Sequence, residues 1–64
     1  MTTIYWWIID DEESEICGEE FFTEIEGGRK EHNDYVYDLF PNENPRCLGR
    51  VTEEEAEMMG LDTY

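Results

Sequence analysis

The side chains able to do chemistry in this sequence are nearly all carboxylates: 18 Asp and Glu stand against four Lys and Arg, with one histidine, His32, and two cysteines, Cys17 and Cys47. A carboxylate works as acid, base or nucleophile only opposite a partner held in a cleft. In a chain so rich in acids no single pair stands out. His32 lies beside Asn33 among polar residues and reads as a surface loop residue rather than a general base. A thiol becomes nucleophilic when its pKa is lowered, and a strongly negative field disfavours the thiolate of Cys17 or Cys47. The sequence holds no CxxC spacing, serine-nucleophile motif, phosphate loop or dinucleotide fingerprint.

Asp10–Glu15 is rich in oxygen ligands and invites comparison with a calcium loop. An EF-hand needs Gly at its sixth position and Glu at its twelfth. Counting from Asp10 those positions hold Glu15 and Phe21, and counting from Asp11 they hold Ile16 and Phe22. Neither register fits. The expectation is a protein that is not an enzyme and uses no metal or cofactor.

What remains is charge. The formal net charge is −14, and the cations are only Arg29, Lys30, Arg46 and Arg50. Such an imbalance repels nucleic acid and anionic membranes and attracts basic surfaces. The expected partner is therefore the basic surface of another protein, with no direct nucleic-acid or membrane binding. Acidity alone does not mean disorder here. The chain is 39% hydrophobic and 14% aromatic, including Trp6, Trp7, Phe21, Phe22 and Phe40, whereas disordered acidic tails have few aromatics.

The elements that must carry these acids follow from pattern. Ile4–Ile9 is β-branched and aromatic throughout and predicts a strand, apolar on both faces and hence central. One face would be closed by a second copy of the chain or by a partner, because a chain of 64 residues can hardly build two cores. Asp10–Glu15 predicts a hairpin loop. Glu15–Glu26 fits a strand with Phe21, Thr23 and Ile25 inward, though a short helix stripe of Phe21, Phe22 and Ile25 also fits. Gly27 and Gly28 end the element. Arg29–Asn33 reads as a polar loop and Asp34–Phe40 as an alternating strand. After the Pro41–Pro45 turn, Arg46–Val51 reads as its hairpin partner. Thr52 and Glu55 form a capping box opening a helix that ends at Gly60, with Val51, Ala56, Met58 and Met59 as its apolar arc. The expected fold is α+β, a single acidic domain over residues 1–64: a small antiparallel sheet of three to four strands with one C-terminal helix.

Ile4–Ile9 is too short to span a membrane, and Met1–Ile9 lacks the basic start and apolar core of a signal peptide. Cytoplasmic location and two free, partly buried thiols are the resulting expectations. On the predicted elements the outward acids are Asp10, Asp11, Glu12 and Glu13 in the loop, Glu20, Glu24 and Glu26 on the second element, Asp34 and Asp38 on the third, and Glu53, Glu54 and Glu57 on the helix. Alternate residues on a strand lie about 6.6 Å apart, and helix residues at i and i+4 about 6 Å apart. Both distances are of the scale of successive phosphates on a nucleic-acid strand. Tyr5, Trp7 and Tyr37 are candidate aromatic anchors beside the acids. Two plainer readings stay open. The acids of Glu53–Glu55 also suit a helix N-terminus, and an acidic coat can serve solubility alone.

Small size, extreme acidity, absent catalytic groups and an α+β pattern together resemble the phage-encoded acidic DNA-mimic inhibitors: anti-restriction proteins, uracil-DNA glycosylase inhibitors and several anti-CRISPR proteins. The resemblance covers the whole chain in size and charge. It implies an inhibitor acting in the cytoplasm of an infected bacterial host. Such a protein occupies the nucleic-acid site of a defence enzyme, here a CRISPR effector. The other open reading is an interaction module or regulatory subunit that uses an exposed apolar strand face.

Overall fold

The computed structural model describes residues 1–64 in the order β1 (Thr2–Ile9), β2 (Glu20–Glu26), α1 (Arg29–Leu39), β3 (Pro45–Val51) and α2 (Glu53–Met59). The sheet has the order β2-β1-β3, with both neighbours antiparallel to β1. The α+β class and the central position of β1 therefore hold, and the strand expected over Glu15–Glu26 holds from Glu20 on, while residues 15–18 form turns that lengthen the hairpin loop. The single C-terminal helix does not, because the protein has two helices.

The extra helix is α1, which replaces both the expected loop at residues 29–33 and the expected strand Asp34–Phe40. The reason is topological. Since β2 and β3 are each antiparallel to β1, they run parallel to one another on opposite sides of it. Joining them needs a crossover, and a helix is the usual solution. A fourth strand would extend the sheet while leaving one face of β1 bare; a helix covers that face. Accordingly Arg46–Val51 pairs with β1 and not with residues 34–40. A bulge between Trp6 and Trp7 shifts the register of that pairing.

Entry into α1 depends on Gly27 and Glu31. Gly27 sits at φ +109, and a Cβ there would lie 2.7 Å from Glu31 Cγ. The Glu31 carboxylate accepts a hydrogen bond from the Gly28 N–H at 3.0 Å, securing the first turn. The α2 capping box is present as expected: Thr52 Oγ1 accepts from the Glu55 N–H and Glu55 Oε1 accepts from the Thr52 N–H, both at 3.1 Å. Gly60 closes α2 in the left-handed conformation at φ +66. The expected apolar arc of α2 is covered only at its start: Val51, just before the helix, is buried and Ala56 half-buried, while Met58 and Met59 are exposed.

The two faces of β1 nucleate two separate clusters. Trp7 and Ile9 join Phe21 and Val36 under α1, and Ile4 joins Phe22 and Val51 on the other face. Ala56 and Leu61 pack on the second cluster. Residues 62–64 run beside the outer edge of β2 through a single parallel bridge between Phe22 and Thr63. The Phe22 N–H donates to the Asp62 carbonyl and the Tyr64 N–H to the Phe22 carbonyl, each at 2.8 Å. Tyr64 then stacks on Phe21 on the α1 side, with ring centroids 4.7 Å apart. The second face is thus covered in part by the chain itself.

His32 is the clearest departure from the sequence reading. It is fully buried beneath α1 and is not a surface loop residue. Helical spacing puts His32, Tyr35, Val36 and Phe40 on the face of α1 that meets the sheet. Trp7 Nε1–H donates to Thr23 Oγ1 at 2.9 Å, and Thr23 Oγ1 lies 2.6 Å from His32 Nδ1. On the other side His32 Nε2 lies 2.8 Å from Thr3 Oγ1, whose proton goes to the Gly27 carbonyl at 2.5 Å. Each threonine has one proton. Thr3 spends it on Gly27, so it accepts from Nε2–H. Burial disfavours the imidazolium, and in the neutral ring Nδ1 is then the acceptor, to which Thr23 donates while accepting from Trp7. The relay ties both strands to α1 with no buried side-chain polar atom left unpaired.

Cys17 and Cys47 are free thiols. Cys17 is exposed, contrary to the expected partial burial, because residues 12–18 form turns beyond the sheet; Cys47 is half-buried on β3. No helix is long and apolar enough to cross a membrane.

Two stability predictions follow. Phe21→Ala removes a side chain that is 1% exposed, and costs about 3–5 kcal/mol. That matches the whole stability expected of so small a domain, so circular dichroism should find the variant unfolded. Met58→Ala should stay within about 0.5 kcal/mol of the parent.

Burial holds the His32 pKa below its ordinary 6.5, against the opposing pull of the nearby Glu31 carboxylate. Below pH 6.5 the unfolded chain binds a proton that the folded chain refuses. Stability is therefore full above that pH and falls beneath it. Urea midpoints at pH 7 and 5.5 should show a loss of up to about 1 kcal/mol, and His32→Gln should show none in that interval.

Candidate protein-docking face

The strand period decides which acids share a surface. In β1 the even residues Ile4, Trp6 and Ile8 point away from α1, and the register places Glu24, Phe22 and Glu20 beside them on β2. Glu26 follows on the same side, opposite Thr2. So Glu20, Glu24 and Glu26 form a row on one face of the sheet, interrupted by the buried Phe22.

The helix α2 brings a second pair to that row. Glu53 and Glu57 line one groove with Glu24, over a floor that includes Ile4, Phe22, Ala56 and Leu61. All three carboxylates are in exposed residues, and none takes part in an ion pair. Glu54 is exposed on α2 but does not line the groove. Two strand acids are otherwise engaged. Glu20 Oε1 accepts the Trp6 Nε1–H at 3.0 Å. Glu26 Oε1 meets the Met1 ammonium at 2.5 Å and its other oxygen accepts from Thr2, and these contacts lower its pKa.

The remaining candidate acids lie elsewhere. Asp34 and Asp38 are exposed on α1, across the sheet from the row, and Asp34 faces Lys30 at 4.0 Å. Asp10, Asp11, Glu12 and Glu13 sit at the hairpin end. There Asp10 pairs with Arg46 Nε at 3.4 Å, and Asp11 Oδ1 accepts the Glu13 N–H at 3.0 Å. Asp11 and Glu13 also border a shallow acidic concavity with Glu15 and Glu43. The twelve acids singled out in the sequence thus fall into three patches, and only the β2–α2 patch combines carboxylates from two elements with an apolar floor.

Of the three candidate aromatic anchors, only Trp7 is withdrawn from the surface. Trp7 is 1% exposed and belongs to the core. Tyr5 is half-buried with its ring 4.5 Å from His32, and Tyr37 lies on α1, 43% exposed, donating its hydroxyl to the Pro45 carbonyl at 3.3 Å. The aromatic on the acidic face is Trp6, half-buried, with Gly49 opposite on β3. Having no side chain, Gly49 leaves that flank of the indole uncovered. The pattern of β1 carried this signal, since Trp6 and Trp7 must point to opposite faces; which face would be closed depended on the unforeseen α1.

Comparison with known protein families, curated proteins and solved structures finds no match for this chain.

Unpaired like charges across the groove work against the fold. Adding 0.5 M NaCl should therefore raise the melting temperature. Glu24→Gln should raise it at low salt by the equivalent of about 0.2–1 kcal/mol, and the gain should shrink at high salt. Equal melting temperatures for parent and variant at low salt would show that the three carboxylates do not interact.

Proposed function

We propose that this protein is a stoichiometric inhibitor that imitates the phosphate charge of nucleic acid and blocks the DNA-binding site of a host-defence enzyme. The favoured target class is a CRISPR effector, met in the cytoplasm of an infected bacterial cell. The observation that carries the reading is the convergence of Glu20 and Glu24 on β2 with Glu53 and Glu57 on α2 on one side of the molecule. Glu20 and Glu24, about 13 Å apart on the strand and so at twice the alternate-residue interval, with the helix pair at about 6 Å, offer a partner's Lys and Arg a series of negative charges on the scale of a phosphate strand. The net charge of −14 adds long-range attraction to any basic groove.

A second reading has an observation of its own. Trp6 and Ile8 are only half-buried on the same face, which suits an interaction module that relies on apolar contact rather than on charge.

The test is affinity capture from a nuclease-treated bacterial lysate with added DNA as competitor. For the mimic, a basic nucleic-acid-binding protein is retained at low salt, DNA displaces it, and Glu24→Lys with Glu57→Lys abolishes capture. For the apolar module, DNA and charge reversal leave capture unchanged while Trp6→Ala removes it. Retention of neutral proteins indifferent to DNA would overturn the mimic.

A further inference from the structure

The groove between β2 and α2 has a chemical character that the fold itself does not require. Its floor is apolar, formed by Ile4 and Phe22 with Ala56 and Leu61. Its rim carries Glu24, Glu53 and Glu57, none of them paired with a cation of this chain. Its volume is about 390 Å³. A purely apolar occupant would bring those carboxylates no compensating charge, and a small hydrated cation would make no use of the floor. The side chain that satisfies both is long and amphipathic, with an aliphatic stem and a cationic head. Between the two candidates arginine fits better than lysine. Its planar guanidinium is more weakly hydrated and can engage two carboxylates at once.

The geometry points to this groove as the receptor for an arginine side chain on the partner's basic surface. The methylene stem lies along Ala56 and Leu61, and the guanidinium bridges Glu24 of the sheet and Glu53 or Glu57 of α2. This inference rests on the reading of the partner as a basic protein surface, and assigns the point where that surface is anchored. Attachment of α2 suits such a role. No residue of α2 is buried. The helix is held by the turn from Val51 at one end and by the pairing of residues 62–64 with Phe22 at the other. A cation drawn between helix and sheet would replace repulsion across the groove with attraction.

The experiment is an NMR titration of the ¹⁵N-labelled protein with a nine-residue oligoarginine peptide and with the matched oligolysine peptide. The expected result is that shifts concentrate at Ile4, Phe22, Ala56 and Leu61, and that arginine binds several-fold tighter than lysine. Ala56→Leu, which fills the groove from an unburied helix, should weaken oligoarginine by roughly five- to ten-fold; an unchanged spectrum away from α2 confirms its fold. The inference is overturned if the shifts centre on Asp10–Glu15 and Glu43, or if the two peptides bind alike and Ala56→Leu binds as the parent does. Ala56→Leu in the lysate capture separates this from the broader reading. Capture that stays DNA-competable and undiminished removes the groove and leaves the mimic. Loss of all basic partners for the parent, with the peptide still titrating the groove, does the reverse.

Discussion

Everything in this molecule answers to one constraint: β1 is apolar on both faces, and a chain of 64 residues must cover both. The solution uses each face differently. Under α1 the cover is close: Trp7, Ile9, Phe21 and Val36 are all at most 1% exposed, with Tyr5 half-buried against them. On the opposite face, α2 and residues 61–64 reach Ile4 and Phe22 but leave Trp6 and Ile8 half-covered. One side of the sheet is a core. The other is a compromise between core and surface, and the acids of β2 and α2 gather along it. Carboxylates could not have been placed on the sheet beneath α1 without burying charge. The candidate docking face is therefore where it is because the helix crossover claimed the other side first.

The relay through Trp7, Thr23, His32, Thr3 and Gly27 shows how the covered side tolerates polar atoms. A buried polar group is costly only when unmatched, and here every donor meets an acceptor in a fixed direction. The relay also specifies position. An α1 rotated or shifted by a residue would strand two hydroxyls and an imidazole, so the network selects one docking geometry where apolar contact alone would accept several. Such selection matters in a chain whose net charge of −14 opposes compaction.

Much of the sheet was legible from residue type. The Ile-Tyr-Trp-Trp-Ile-Ile run could only be an inner strand, and the Thr52–Glu55 box with Gly60 marked α2 closely. Residues 29–40 misled because Tyr35, Tyr37 and Leu39 alternate as a strand would, and Tyr and Val favour strands. A competing period was present: His32, Tyr35, Val36 and Phe40 repeat at helical spacing, after a glycine pair and with Glu31 placed to cap. Taking His32 as polar concealed it. The site was legible in its components and not in its assembly. Alternation put Glu20, Glu24 and Glu26 on one side, and helical spacing paired Glu53 with Glu57. That α2 would lie beside β2 depended on residues 62–64 pairing with Phe22, a contact between distant segments that no local pattern announces.

The adjacent indoles of Trp6 and Trp7 carry an experimental consequence. One is enclosed in the core with its N–H on a neutral hydroxyl; the other is half in solvent with its N–H on a carboxylate. Their fluorescence should differ accordingly, with blue-shifted emission from Trp7 and red-shifted, quencher-accessible emission from Trp6. The protein thus carries two built-in optical probes one residue apart. Loss of the blue component reports unfolding, while a change confined to the red component reports an event at the acidic face in an intact fold. Binding and unfolding can be told apart in a single cuvette, without labelling.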